Sequence, residues 1–256
     1  MNKNCMSDVL VIYTSFSFTK VKSQMDKDIK NIYITADCHG NFSEVERFCK
    51  TFQTDPRYDM IIILGDAGIN YYGNDYGDEK RKEKINKLPI TLFCIHGNHE
   101  ARPQTIPTYE EIEFCEGKAY IESKYSNIIF AKDGEIYNFK NTKCIAIGGA
   151  YSVDKYWRLQ CGNKWFEDEQ PSDEIKAYVE KQLKENKVDY ILSHTCPLCY
   201  IPTDVFLHGI DQSTVDNSTE KWLQKIKEST TYKKWYCGHY HLARTIDNFR
   251  FVDIDE

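Results

Sequence analysis

In the first half of the chain, from Asn31 onward, short apolar runs alternate with segments that have helical spacing of their apolar residues. Strict alternation of strand and helix is typical of parallel strands joined by helical crossovers, so this half predicts a βαβαβ arrangement. Ser43 is the expected N-cap of the first helix. The predicted elements are, in order, strand IYITA, helix SEVERFCKTF, strand MIIIL, helix DEKRKEKINKL and strand TLFCI.

The second half of the chain mixes hairpin-like and helical patterns. Layered sheets flanked by helices follow from the whole pattern, in one domain over residues 30–256, with residues 1–29 as an N-terminal extension or an added strand. The predicted elements are hairpin YNFKNTKCIAIGGAY, helix SDEIKAYVEKQLKEN, strand VDYILSHT, helix STEKWLQKIKES and the segment KKWYCGHYHLARTIDNFRFVDID, which alternates like antiparallel strands.

Composition narrows the class of protein. The chain has 256 residues, of which 41% are hydrophobic, and a net charge of −6 without a basic block. Long nucleic acid and anionic membranes are therefore not expected partners. No run approaches the roughly 20 apolar residues that span a bilayer, and no signal peptide is evident, so we expect a cytoplasmic protein.

Ten cysteines are scattered along the chain, several of them inside apolar strand-like runs. Free cysteine behaves there as a small hydrophobe, so this usage indicates a reducing compartment. The one CxxC, formed by Cys196 and Cys199, lacks a second pair at zinc-ribbon spacing. We interpret it as two thiols without a structural metal.

Polar residues of the kinds that bind metals follow the predicted strands at five places. Each alone has a plainer interpretation, as a turn or as a hydrogen-bonded core histidine. In open α/β sheets the carboxyl ends of the strands meet at one edge, so five such ends predict one shared site. The clusters are Asp37-Cys38-His39, Gly65-Asp66, Gly97-Asn98-His99-Glu100, His194 and Gly238-His239-Tyr240-His241.

The D-x-H and H-x-H spacings suit paired ligands. In an extended backbone, residues i and i+2 point to the same side, so Asp37 and His39 would face one site, as would His239 and His241. Mixed oxygen and imidazole donors suit Mn²⁺, Fe, Zn²⁺ or Ni²⁺ better than Ca²⁺. Seven candidate ligands suffice for two ions, roughly 3.5–4 Å apart, which would activate a hydroxide for phosphoryl transfer.

The order D-x-H, GD, GNH[DE], H, GHxH resembles that of the calcineurin-like metallophosphoesterases, from Asn31 to about Asp253. The resemblance implies a four-layer α/β/β/α sandwich with a dinuclear metal site at one edge, Mn²⁺ being the first expectation. It also implies that Asp66 bridges the two ions. The implied ligands are Asp37, His39, Asp66 and His241 for one ion, and Asp66, Asn98, His194 and His239 for the other.

The same resemblance implies roles beside the metals. His99 would stabilise the phosphoryl group or protonate the leaving oxygen, with Glu100 as its orienting neighbour. Serine/threonine phosphatases of the superfamily carry arginines just before GNHE and shortly after GD, but His96 and Ile69-Asn70 occupy those places here. Arg102, Arg158 or Arg244 would replace them. The predicted substrate contacts are Asn98, His99, Arg102 and Arg158, and His208 is not expected to be a ligand.

Several functions fit these residues. Phosphomonoester hydrolysis, on phosphoprotein or small molecules, is preferred, and a phosphodiesterase acting on nucleotides or nucleic-acid ends is the alternative. A hydrolase of carbonyl or sulfate esters uses similar chemistry. A non-catalytic metal-binding scaffold is disfavoured, because every expected ligand and His99 are present. The oligomeric state is left open.

Overall fold

A computed structural model describes residues 29–73, 76–206 and 212–254. Ile29 is buried in the hydrophobic core. The rest of the predicted N-terminal extension lies outside the described residues, as does His208, so both predictions stay predictions.

The first sheet has the strand order β1-β2-β3-β6-β5-β4. Strands β1, β2, β3 and β6 are mutually parallel, and β5 runs antiparallel to both β6 and β4. This confirms the predicted parallel strands with helical crossovers. The strands are β1 (Asn31–Thr35), β2 (Asp59–Ile63), β3 (Thr91–Cys94), β4 (Glu110–Phe114), β5 (Gly117–Ile121) and β6 (Ile128–Ala131), and the crossover helices are α1 (Ser43–Phe52) and α2 (Tyr76–Ile85).

Helix α1 includes the residue that was predicted to cap it. Ser43 is the first helical residue, Phe42 is at the cap position, and no side chain caps the helix there. The backbone N–H of Ser43 instead donates to Oδ1 of Asn41, at 3.1 Å. The N-cap prediction for Ser43 was therefore wrong, because the neighbouring asparagine supplies the acceptor through a local turn.

The second sheet has the strand order β11-β12-β10-β9-β8-β7. The predicted hairpin is confirmed, since β7 and β8 pair antiparallel. The C-terminal prediction holds only for β11 and β12, because β10 pairs parallel with both β9 and β12. Alternation of side chains does not encode strand direction. The strands are β7 (Ile136–Phe139), β8 (Thr142–Ile147), β9 (Tyr190–Ser193), β10 (Lys234–Cys237), β11 (Arg244–Ile246) and β12 (Phe249–Phe251).

Three further α-helices and four short 3₁₀ turns complete the described chain. Ser172 caps α4, its hydroxyl oxygen accepting the backbone N–H of Ile175 at 3.3 Å. None of the five α-helices described is both long enough and apolar enough to cross a membrane. The helices are α3 (Lys155–Cys161), α4 (Asp173–Glu185) and α5 (Ser218–Ser229), and the 3₁₀ turns are Pro103–Thr105, Leu198–Tyr200, Thr203–Val205 and Gln212–Thr214.

Three hydrophobic clusters separate four layers. The cluster between the sheets includes Met60 and Phe93 from the first sheet and Tyr137 from the second. A second cluster packs α1 and α2, through Val45 and Ile85, on the outer face of the first sheet, and a third packs α4 and α5 on the second sheet. The predicted four-layer α/β/β/α sandwich is confirmed. The nine cysteines in the described part are all free thiols.

Candidate metal centre

The loops that follow β1, β2, β9 and β10 are tied together by backbone hydrogen bonds. The N–H of Asp37 donates to the carbonyl oxygen of Gly65 at 3.1 Å, and the N–H of Gly238 donates to that of His194 at 3.0 Å. The two sheets meet where the N–H of His239 donates to Oδ2 of Asp37, at 2.8 Å. The strand-end clusters therefore lie at one edge of the sandwich, as their order along the chain predicted.

Most of these ligand candidates adopt left-handed backbone conformations. The sequence suggested that extended backbone would align the D-x-H and H-x-H pairs, and that prediction was wrong. A tight turn after the strand, favoured by aspartate and histidine among non-glycine residues, brings the side chains together instead. The residues with positive φ are Asp37 (52°), His39 (45°), Asp66 (50°), His239 (72°) and His241 (48°).

Asp66 lies at the centre of the cluster. Its Oδ2 atom is 3.9 Å from Nδ1 of His39, 3.5 Å from Nδ1 of His99 and 3.8 Å from Nε2 of His194. Its Oδ1 atom accepts the backbone N–H of His99 at 2.9 Å. One carboxylate thus reaches imidazoles from three loops, which is the position a bridging ligand needs.

Glycine is required where the loops approach Asp66 most closely. A Cβ atom at Gly97 would lie 2.0 Å from Oδ1 of Asp66, and one at Gly65 would lie 2.1 Å from Nδ1 of His194. Neither contact is sterically possible, so the glycines of the GD and GNHE motifs allow the ligands to converge.

Asp37 brings a second buried carboxylate to the same place. Burial and the nearby charge of Asp66 raise the pKa of Asp37 well above its usual value. Its Oδ1 atom is inaccessible to solvent and has no hydrogen-bond partner among the described residues. Two carboxylates buried together are costly without a compensating cation.

His194 presents its Nε2 atom to the centre. Its Nδ1–H donates to the carbonyl oxygen of Leu64 at 2.8 Å, which leaves Nε2 as a bare acceptor. That atom lies 2.7 Å from Oδ1 of Asn98, whose amide nitrogen donates to the Ser152 hydroxyl at 2.8 Å. Burial lowers the pKa of His194, so the ring is a neutral ligand. Two acceptor atoms this close favour a cation beside them.

The donor set fits divalent metal ions. His39 and His241 approach each other with their Nε2 atoms 3.2 Å apart, a second close pair of nitrogen donors. Burial also lowers the pKa of His239 well below its usual value. Three groups of possible ligand atoms lie within 4.8 Å of one another, namely Asp37-His39-His241, His39-Asp66-His99 and Asp37-Asp66-His194.

His99 lies at the border of this cluster, between a cation and an anion. Its Nδ1 atom is 3.0 Å from Nη2 of Arg158, and its Nε2 atom is 3.5 Å from Oδ1 of Asp154. Arg158 in turn donates from Nε to Oδ2 of Asp154 at 2.7 Å. The structure therefore brings His99 and Arg158 together beside the predicted ligands, while each role assigned to them stays a prediction.

Comparison with known proteins identifies the family. The family model for calcineurin-like phosphoesterases matches residues 30–243. The chain belongs to that family. It is accordingly a metal-dependent phosphoesterase, a hydrolase, and the family typically uses a dinuclear divalent metal site.

Among solved structures, the chain is similar to the crystal structure of phosphopantetheinyl hydrolase from Mycobacterium tuberculosis, with 13% identity and a TM-score of 0.46. That similarity covers 88% of this chain and 89% of the other. No curated protein matches.

Two predicted site residues of this phosphoesterase point elsewhere. Glu100 does not contact the His99 ring in the described hydrogen bonds, and its carboxylate accepts the backbone N–H groups of Ile69 and Gly97, at 3.3 and 3.4 Å. Burial and the charge of Asp66 raise its pKa to about 8. The Glu100 carboxylate thus stabilises the loop through backbone hydrogen bonds. Asp154, and not Glu100, is the carboxylate that lies beside the His99 ring.

Arg102 is the second predicted site residue that points away from the metal centre. It is buried, forms an ion pair with Asp133 and donates from Nε to the carbonyl oxygen of Asp168 at 2.7 Å. Arg102 lines a cavity with His96 that none of the predicted metal ligands lines. The chain turns away from the candidate metal centre after His99, which separates the side chain of Arg102 from that of His99. Arg244, the third candidate cation, pairs with Asp204 at 2.8 Å.

Sequence reasoning missed two charged residues at the phosphoesterase centre. Arg81, in α2, donates to the carbonyl oxygen of Gly68 and lines a cavity of about 250 Å³ with His39, His99 and Arg158. It stood in a charged run that indicated only an exposed helix. Asp154 precedes Arg158 by four residues, the spacing of a helical ion pair, and that signal was available.

His99 also lines a second, larger cavity. It has a volume of about 620 Å³, and Asp66, Asn98 and His239 form part of its lining. Glu220 and Tyr240 also line it. Burial raises the pKa of Glu220 to about 7. The candidate metal centre is thus flanked by a small cationic cavity and a large one of different character.

Proposed function

We propose that this phosphoesterase is a phosphomonoesterase that uses two divalent ions, with Mn²⁺ preferred. The observation that carries the proposal is the position of His99, bounded by Asp66, Arg158 and Asp154 at the border of the ligand cluster. A phosphomonoester presents two negative charges and a leaving oxygen that must gain a proton, and this arrangement provides for both.

The ligand assignment follows the contacts of the centre. The bound ions supply Lewis acidity that stabilises negative charge during phosphoryl transfer. Asp66 has the central position that a shared ligand requires, and the unpartnered Oδ1 atom of Asp37 and the bare Nε2 atom of His194 are available as donors. Asp37, His39, Asp66 and His241 would hold one ion, and Asp66, Asn98, His194 and His239 the other.

His99 acts as the general acid. A guanidinium only donates, so Nδ1 of His99 accepts from Arg158 and Nε2 carries the ring proton. That Nε2–H group lies 3.5 Å from Oδ1 of Asp154. The ring becomes an acid when it also gains a proton at Nδ1, where Oδ2 of Asp66 lies 3.5 Å away and stabilises the charge. The charged ring gives its Nε2 proton to a leaving oxygen in the large cavity, which Asp154 also lines, and returns to the neutral form with its remaining proton on Nδ1.

The phosphoryl oxygens are held by arginine. Arg158 and Arg81 line the small cavity beside His39 and His99. Planar guanidinium groups bind phosphoryl oxygens with paired, charge-assisted hydrogen bonds. Two of them at one centre favour a dianionic monoester over a diester with a single charge.

A phosphodiesterase is the alternative, and one observation favours it. His99 lines both the cavity of about 620 Å³ and the cavity of about 250 Å³. Together they have room for both substituents of a diester.

The test is hydrolysis of p-nitrophenyl phosphate and bis-p-nitrophenyl phosphate with Mn²⁺, Ni²⁺, Zn²⁺ and Mg²⁺, beside an Asp66→Asn control. We expect a metal-dependent rate that is greater for the monoester and greatest with Mn²⁺, and that is lost in the control. A greater rate with the diester would favour the alternative. No rate with any metal, in a folded protein that binds metal, would contradict both.

A further inference from the structure

The large cavity beside His99 has apolar walls. Three of its apolar side chains are exposed in part, with 53% of Val153, 38% of Leu198 and 47% of Val205 open to solvent. Apolar side chains that remain open around a concave site are typical of a ligand-binding surface. The apolar residues of the wall are Val153, Leu198, Ile201, Val205, Phe206 and Val215.

The charge of this cavity differs from that of the small one. Of the described residues that line it, none is lysine or arginine, whereas Asp154 and Glu220, which lie outside the proposed ligand set, are acidic. A second phosphate, a nucleic-acid backbone or an acidic peptide would meet repulsion there. The cavity therefore suits an uncharged or cationic organic group.

Glu220 provides a specific polar contact in this apolar setting. It stands in the first turn of α5 and is only 3% exposed. Its Oε1 atom accepts the hydroxyl of Thr195 at 2.8 Å, and that hydroxyl lies 3.2 Å from the hydroxyl of Tyr240. One carboxylate oxygen is thus held by side chains of the protein, which orients the group.

The second carboxylate oxygen of Glu220, Oε2, differs from the first in its hydrogen bonding. Oε2 is buried and has no hydrogen-bond partner within the described ranges. A buried carboxylate oxygen without a donor is costly, and such groups in native proteins call for an explanation. A ligand in the cavity that carries a hydrogen-bond donor would satisfy Oε2 and would explain why this atom has no partner in the protein.

We infer that this cavity binds the organic group of the substrate and that Glu220 selects groups with an aromatic or apolar body that bears an N–H or O–H donor. The inference rests on the proposed phosphomonoesterase. It assigns the phosphoryl group to the cationic side of His99 and the leaving group to the apolar side. Glu220 is a specificity-determining residue in this arrangement and takes no part in bond cleavage.

The experiment compares two esters that differ in one donor. Indol-5-yl phosphate and benzofuran-5-yl phosphate have the same bicyclic shape, and an ether oxygen in the second replaces the N–H of the first. At about pH 8, above the pKa of Glu220, we expect kcat/KM of the wild-type enzyme to be about tenfold greater for the indole ester, as for a hydrogen bond to a charged acceptor. In Glu220→Gln, whose amide can present a donor, the preference should vanish or reverse.

Glu228→Gln is the matched control, because Glu228 lies on the same helix, is exposed and undergoes the same change of charge. It should keep the wild-type ratio. Inhibition of p-nitrophenyl phosphate hydrolysis by 5-hydroxyindole and by 5-hydroxybenzofuran repeats the comparison in wild-type protein, which covers the case in which Glu220→Gln does not fold.

The possible outcomes distinguish the inference about Glu220 from the proposed phosphomonoesterase activity. A wild-type preference for the indole that Glu220→Gln removes supports the inference. Hydrolysis of both esters with a ratio near one, unchanged in Glu220→Gln, would overturn the inference and leave the phosphomonoesterase intact. No metal-dependent hydrolysis of either ester or of p-nitrophenyl phosphate would overturn the proposed function and the inference with it.

Discussion

An Nη2 atom of Arg158 lies 3.0 Å from Nδ1 of His99, although 59 positions separate the two residues in the chain. Arg158 comes from α3, which has no buried residue, and it is held by Oδ2 of Asp154 at 2.7 Å. An exposed helix after the hairpin thus orients the imidazole that follows β3. The tautomer of His99 depends on this contact, since the ring must accept at Nδ1.

We expect Arg158→Met to lower kcat/KM for p-nitrophenyl phosphate by about 10- to 100-fold, because it removes a charge-assisted contact to both the phosphoryl group and His99. Arg158→Lys should recover part of this loss. Arg47→Met, at an exposed site on α1, is the control. Wild-type kinetics in Arg158→Met would show that this arginine is not used.

His99→Gln should keep the metal content and slow esters of poor leaving groups most. Loss of a general acid costs about 10²- to 10⁴-fold where the leaving oxygen needs a proton, and less for p-nitrophenolate. The measurement is kcat over a series of aryl and alkyl phosphates, with metal content by mass spectrometry. Equal slowing of every ester, or loss of metal, would contradict the general-acid role.

Asp66→Asn should reduce bound metal from roughly two ions per chain to below one, because its carboxylate lies between His39 and His194, the proposed ligands of the two different ions. Metal analysis after dialysis against limiting Mn²⁺ checks this without an assay of activity. Asp154→Asn removes a nearby carboxylate outside the ligand set and should keep the metal. Equal metal content in the two variants would argue against the bridging position of Asp66.

Removal of metal should destabilise the wild-type fold. The buried carboxylates of Asp37 and Asp66 then lose their cations, and an ion present at 100 times its Kd contributes about 2.7 kcal/mol to the free energy of unfolding. For a domain of this size the melting temperature should fall by about 5–10 °C on chelation. Calorimetry with and without Mn²⁺ measures it. Asp66→Asn should show a smaller change, and an equal one would contradict this origin.

Glu220 should make stability depend on pH. Burial, opposed mainly by the hydrogen bond from Thr195 and helped by the charge of Asp216, raises its pKa from 4.5 to about 7. Between these values the folded state keeps a proton that the unfolded state has lost, so the free energy of unfolding of the wild type falls as the pH rises. The total is about 3 kcal/mol, and it is complete above pH 7.

Glu220→Gln removes this titration. Its free energy of unfolding, measured in urea at fixed metal concentration, should therefore improve relative to wild type by about 3 kcal/mol from pH 4.5 to pH 7. Glu228→Gln, at an exposed position of the same helix, should show no such trend. A constant difference between Glu220→Gln and wild type across this range would place the pKa of Glu220 near its ordinary value.

Neighbouring residues along the chain are enough to predict the elements and the ligand types. Buried strands such as β2 are predicted by short apolar runs, and amphipathic helices such as α5 by the helical spacing of their apolar residues, and both patterns are carried by neighbouring residues. The five polar clusters could be placed at one edge because parallel strands share a direction. Asp66 could be singled out as the bridging ligand through the resemblance of the motif order to that of the calcineurin-like metallophosphoesterases.

The tertiary structure alone decided which way the side chains point. The left-handed turns at Asp37 and His239 depend on hydrogen bonds between loops, so no local spacing encodes them. Glu100 is adjacent to His99 in the sequence but its side chain turns away, whereas Asp154 is distant in the sequence and lies beside the His99 ring. Adjacency along the chain does not determine the direction of a side chain after a turn. Spacing specifies which residue types follow a strand, whereas packing between distant segments fixes which atoms meet, and the pairing of Arg158 with His99 is of that second kind.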